Sequence, residues 1–104
     1  MLNMRLIEEA VELVEKIYEA EHLTFNHKTL TESAINWYSN TEIVEAEMLA
    51  AIVMTAPCTP ENLAEVTWDE LEKWQEFYFP RVPFEYYEIG VAELKEARYD
   101  EFWR

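Results

Sequence analysis

The chain has 104 residues, a length that fits one domain (residues 1–104) with a modest core. Half of the residues are apolar and only one is glycine, a composition that argues against disorder despite the charge. Twenty-two acidic side chains against 8 basic ones leave a net charge of −14, which argues against direct binding to nucleic acid or to an anionic membrane and favours basic protein partners.

The surplus charge is spread evenly. Residues 1–52 hold 10 acids and 3 bases, and residues 53–104 hold 12 and 5, so the acidity belongs to the folded surface and not to a detachable tail. A net charge of about 2 to 8 is enough to keep a small domain in solution, which leaves the excess asking for another use. Twenty of the acids are Glu, a good helix former, so the charge comes in a helix-compatible form. Cys58 is the only cysteine, which rules out an internal disulfide. No basic region followed by an apolar run opens the chain, so no secretion signal is read there. A cytoplasmic location is expected, in the host cytoplasm if the chain is phage-encoded.

Met4 to Ala20 predicts a first helix, with Asn3 as its N-cap. Leu6/Ile7, Ala10/Val11, Leu13/Val14 and Ile17/Tyr18 form its buried face. Glu8, Glu12, Glu15 and Glu19 recur at steps of 4, 3 and 4 as an acidic stripe opposite, and Lys16 is placed to pair with Glu12. After a connection from His22 to Lys28, Thr29-x-x-Glu32 has the form of a capping box and opens a short helix through Tyr38. Ser39-Asn40-Thr41 then closes that helix and caps the next.

Residues 41–56 predict a central helix. Glu42, Glu45 and Glu47 suit the positive end of its dipole. Met48 to Met54 is apolar without a break, and a helix apolar on all sides must be surrounded by protein. Pro57 and Pro60 end it, and Pro60 to Glu65 reads as a short helical segment behind the N-cap Thr59. A second capping box, Thr67-x-x-Glu70, starts a helix from Trp68 to Tyr78 that buries Trp68, Leu71, Trp74 and Tyr78. Its outer acids, Asp69, Glu72 and Glu76, with Glu65 before them, repeat the 4-3-4 spacing. Phe79 to Pro83 is a bend. Phe84 to Trp103 reads as a last helix with a kink or break at Gly90 and with Glu93, Glu96 and Asp100 facing out. Alternation over Phe84 to Ile89 also permits a strand. The expected fold is therefore all-α, a single-domain bundle of about five to six helices around the buried central one.

Chemistry is sparse. One glycine cannot build a phosphate cradle of the P-loop or dinucleotide type, and Cys58, His22 and His27 match no zinc spacing. Glu19-x-x-His22 has the spacing of di-iron carboxylate bundles, which need two such motifs pointing inward. No cofactor, metal or catalytic residue is expected from these patterns. The stretch Leu6-Ile7-Glu8-Glu9-Ala10-Val11-Glu12 resembles the Glu-Glu-x-x-Glu helix of MazG-type nucleotide pyrophosphohydrolases, small all-α enzymes that hold Mg²⁺ against a nucleotide's phosphates. That resemblance implies Glu8, Glu9 and Glu12 as metal ligands, with Glu42-x-x-Glu45 as the nearest counterpart of the family's second motif.

The acidic stripes and an excess of aromatics carry the leading expectation. Four carboxylates in one stripe span about 16 Å of helix, one per roughly 4 to 6 Å, against one phosphate per about 3.4 Å along a DNA strand. Eleven of the fifteen aromatic residues lie from Trp68 onward, more than one core face can hold, and outward aromatics are the usual anchors of protein interfaces. Phe77, Phe79, Tyr86 and Tyr87 are the candidates. In composition and size the chain is similar to the acidic DNA-mimic inhibitors that phages and mobile elements use against restriction or CRISPR enzymes. The similarity implies a partner that is a basic nuclease or other nucleic-acid-binding protein, blocked by carboxylates that pair with its Lys and Arg. Exposed aromatics would add affinity to that target or across a homodimer seam. A structural or adaptor protein, such as a virion component or an antitoxin-like partner, is the other non-enzymatic expectation.

Overall fold

The structure is a computed structural model and describes residues 2–56 and 66–97. Among these residues the chain is all-α, with α1 at Met4–Ala20, α2 at His27–Asn40, α3 at Ala46–Thr55, α4 at Trp68–Tyr78 and α5 at Phe84–Ala97. The predicted segment from Pro60 to Glu65, the thiol of Cys58 and the end of the last helix beyond Ala97 lie outside the described residues.

α3 is the centre of the molecule. Leu49 to Thr55 are all fully buried, and α1, α2 and α5 pack around them. The uninterrupted apolar run needed protein on every side, and it has it. The helix is shorter than the expected span of residues 41–56. It begins at Ala46 behind an extended Glu45 whose side chain makes no cap bond, so Glu47 alone of the three expected acids lies in its first turn. β-branched Thr41, Ile43 and Val44 favour the extended backbone found before it, and Ile43 is drawn into the core from that segment. At its other end the hydroxyl of Tyr18 donates to the Met54 carbonyl at 2.8 Å inside the core. This bond supplies one of the carbonyls that a helix terminus leaves without a partner.

Local signals set most helix starts. The Asn3 side chain accepts from the Leu6 amide at 3.1 Å. Thr67 and Glu70 form both arms of their capping box. The Thr29–Glu32 box does not form: Asn26 caps α2 instead, accepting from the Thr29 amide at 3.1 Å. Asn is at least as good an N-cap as Thr, and the earlier start adds a turn before buried Leu30. α1 ends in a Schellman arrangement, with the Leu23 amide donating to the Tyr18 carbonyl and the His22 amide to the Glu19 carbonyl. His22 takes the left-handed position, φ 60°, that glycine usually fills.

α5 is helical from Phe84 without a break at Gly90. Tyr87, Val91 and Leu94 turn inward at helical spacing, which settles the strand alternative for Phe84 to Ile89. Gly90 serves the crossing with α3: a Cβ there would overlap the Ile52 carbonyl and the Thr55 hydroxyl. It lets two helices touch backbone to backbone, which is a reason for glycine unrelated to bending.

Candidate functional site

The long outer face of α1 is the first surface to consider. Its inner positions Ile7, Ala10, Val11, Val14, Ile17 and Tyr18 are buried, which fixes the helix rotationally and turns Glu8, Glu9, Glu12 and Glu19 to solvent. Glu15 departs from the predicted stripe. It is only 18% exposed and its carboxylate meets the His27 ring nitrogen Nδ1 at 3.0 Å, so this position joins α1 to the start of α2. Lys16 makes no ion pair with Glu12; the pair along α1 is Arg5 with Glu9 at 3.5 Å, both exposed. Two charges in water gain little from being held together, so neither choice is strongly driven. The surviving stripe of Glu8, Glu12 and Glu19 stays on one side of an unbroken helix.

Packing adds acids that periodicity does not associate with α1. A groove of about 590 Å³ runs between α1 and the entry to α3, with Leu6, Leu13 and Val44 as apolar lining, Glu9, Glu12, Glu45 and Glu47 around it, and the cations Arg5 and Lys16 among them. Val44 is 70% exposed there. The extended connection before α3 is what brings Glu45 and Glu47 opposite α1. Of the residues implied by the pyrophosphohydrolase resemblance, Glu9, Glu12 and Glu45 line this groove while Glu8 and Glu42 do not. Among the described residues no three Asp, Glu, His or Cys side chains stand close enough together to hold a metal ion. Glu19 and His22 both face solvent at the end of α1, so the di-iron spacing does not point into the bundle.

The second acidic row lies on α4 and α5. Asp69, Glu72 and Glu76 are exposed, as are Glu93 and Glu96, while Glu65 and Asp100 fall outside the described residues. The aromatic candidates divide. Phe77 is 77% exposed and meets the Tyr78 ring edge-on at 4.9 Å. Tyr86 is half-buried. Phe79 and Tyr87 are core residues at 2% and 3% exposure, because the bend after α4 folds Phe79 back under the helix and Tyr87 lies on the inner side of α5. They cannot anchor a partner as they stand.

Two tyrosines carry perturbed hydroxyls. Burial pushes the Tyr87 phenol up to about 12, helped by the negative charge of Glu72. Burial also raises Tyr78, whose hydroxyl donates to Glu21 at 3.1 Å and ties the end of α1 to the end of α4. Each favours the neutral, proton-bearing form. Both therefore remain uncharged through the physiological range.

Comparison of the chain with protein-family models, with curated proteins and with solved structures yields no match. No described helix is long and apolar enough to cross a membrane.

Proposed function

We propose that this protein binds a basic, nucleic-acid-binding protein and occupies the surface that would otherwise hold a phosphate backbone. The observation that carries the proposal is the outward placement of Glu8, Glu12 and Glu19 on an unbroken helix whose opposite face is sealed into the core. The helix presets the spacing from which these carboxylates project, so that one partner charge can be matched after another, while each exposed side chain is ordered only when a Lys or Arg pairs with it. Glu45 and Glu47 extend the same field across the adjoining groove, where Arg5 is paired with Glu9 and Lys16 offsets part of the charge. With a net charge of −14 the whole molecule draws such a partner in over distances set by the Debye length. The setting that fits is the cytoplasm, the host's if the gene is carried by a phage or mobile element, and the type is that of anti-restriction or anti-CRISPR inhibitors. Phe77 is an exposed aromatic available to a target or to a second copy of the chain.

The test is displacement of a fluorescent DNA duplex from a panel of basic nucleases and DNA-binding proteins at 50 mM and 300 mM salt. At least one target should release its DNA at low salt. The triple charge reversal Glu8→Lys, Glu12→Lys, Glu19→Lys should weaken that effect by about 100-fold, since each lost charge-assisted contact is worth roughly 1 kcal/mol at an exposed site. Absence of binding to every candidate at low salt would overturn the proposal. So would Mg²⁺-dependent pyrophosphate release from nucleotides that Glu9→Gln abolishes.

A further inference from the structure

A second cleft, of about 410 Å³, opens between α4 and α5 on different chemistry. Its open aromatic walls are Trp68 at the start of α4 and Phe84 at the start of α5, with the ring of the buried Tyr87 behind Phe84 at a centroid distance of 5.0 Å. Glu72 and Glu88 line it as well, both exposed. One cation of the chain already lies there, with the Lys95 ammonium 5.8 Å from the centre of the Trp68 ring. Phe84 is 49% exposed, so an aromatic wall is open to a partner.

We propose that this cleft receives an arginine side chain from the basic partner, with the guanidinium between the aromatic walls and Glu72 or Glu88 and with Lys95 displaced from the Trp68 ring. The inference rests on the proposed function for the nature of the partner, and on the cleft alone for the group received. A planar guanidinium stacks on aromatic faces and offers a fork of N–H donors to a carboxylate, while an ammonium is a compact and strongly hydrated charge. Aromatic walls with acidic neighbours suit the first better. The resident Lys95 shows that a cation is accommodated against Trp68, and its flexible stem allows it to leave.

The experiment is a nuclear magnetic resonance titration of the full chain, at 0.15 M NaCl, with the blocked peptide acetyl-Gly-Arg-Gly-amide. Its citrulline counterpart is the neutral control, and free L-arginine tests for a small-molecule site. The arginine peptide should give saturable shifts at the Trp68 indole and the α4 and α5 amides, with a Kd of about 1–10 mM, and the citrulline peptide should bind at least about fivefold more weakly. Phe84→Ala and Glu88→Gln, both at exposed positions, should each weaken binding about 2- to 5-fold. Lys95→Ala should tighten it by a similar factor, while Lys73→Ala, which removes the same charge outside the cleft, should leave it unchanged. Equal binding of the citrulline peptide, equal effects of the two lysine variants, or shifts centred on Glu8 to Glu19 would overturn the inference. Free arginine binding more than about tenfold tighter than the peptide would instead mark a metabolite site and overturn it too. If the peptide fails while the chain still displaces DNA from a target, the cleft assignment falls alone. If the peptide binds and no DNA-binding protein is engaged, the proposed function falls and the cleft stands.

Discussion

His22 is a residue whose conformation and identity disagree. The Schellman turn after α1 needs a left-handed residue, and His22 adopts φ 60° to supply it while its ring stays in solvent. A side chain with a Cβ costs about 1–2 kcal/mol in that region, whereas glycine enters it freely. Part of the gain on replacement is offset by the larger backbone freedom of glycine in the unfolded chain. His22→Gly should therefore stabilise the fold by about 0.5–1 kcal/mol, read as a higher urea midpoint with an unchanged slope. A lower midpoint would mean that the imidazole makes contacts that outweigh the backbone relief. Tyr18 illustrates the opposite case, a residue whose polar atom is fully used, since its hydroxyl closes the Met54 carbonyl where no water can reach.

At the scale of the helices, Gly90 decides how closely α5 can approach α3. Two effects of Gly90→Ala compete. Alanine is better than glycine by about 1 kcal/mol in a helix interior, but its Cβ would enter the space of the Ile52 carbonyl and the Thr55 hydroxyl. Overpacking of this kind typically costs about 1–3 kcal/mol, and here the obstacle includes backbone, which yields less than a side-chain tip. The variant should lose about 1–2 kcal/mol in chemical denaturation, and a stabilised variant would show that the crossing is looser than described. The same position shows where sequence reasoning stops. Caps formed by Asn3 and by Thr67 with Glu70 were legible because each involves residues three apart on one strand of chain. The buried α3 was legible from its unbroken apolar run, and three of the four α1 stripe positions, Glu8, Glu12 and Glu19, from their period, whereas Glu15 turned to His27. Gly90 looked like a helix breaker because the partner that requires it, Ile52, is remote in sequence. Asn26 displaced Thr29 as a cap because two good candidates stood three residues apart, and local rules do not rank them by which start suits the core. The α1–α3 groove and the α4–α5 cleft were not legible at all, since each joins residues from separate segments. Phe79 and Tyr87 went astray for the same reason: composition says that there are many aromatics, but only packing says which ones face in.

For the whole molecule the governing quantity is charge. Among the described residues the ion pair between permanently charged groups is Arg5 with Glu9, too little to offset a net charge of −14. The folded state therefore gathers like charges that the unfolded chain can spread apart, and self-repulsion works against compaction. Salt acts on this repulsion and on the attraction for a basic partner through the same screening, with opposite signs. The Debye length falls from about 30 Å at 0.01 M to about 10 Å at 0.1 M ionic strength, from longer than the separation of neighbouring helices to about equal to it. Stability against urea should accordingly rise as NaCl is raised from 0.01 to 0.3 M, by about 1–2 kcal/mol, with most of the gain below 0.1 M. Over the same interval the affinity for a basic target should fall by at least tenfold, because attraction between opposed charged surfaces is screened just as the internal repulsion is. The triple reversal at Glu8, Glu12 and Glu19 moves the net charge from −14 to −8, since each Glu→Lys change adds two positive units. It should flatten both salt dependences together if the α1 face is at once a main source of the strain and the means of binding. A variant whose stability loses its salt dependence while its target affinity keeps it would place the binding surface elsewhere on the molecule, away from α1.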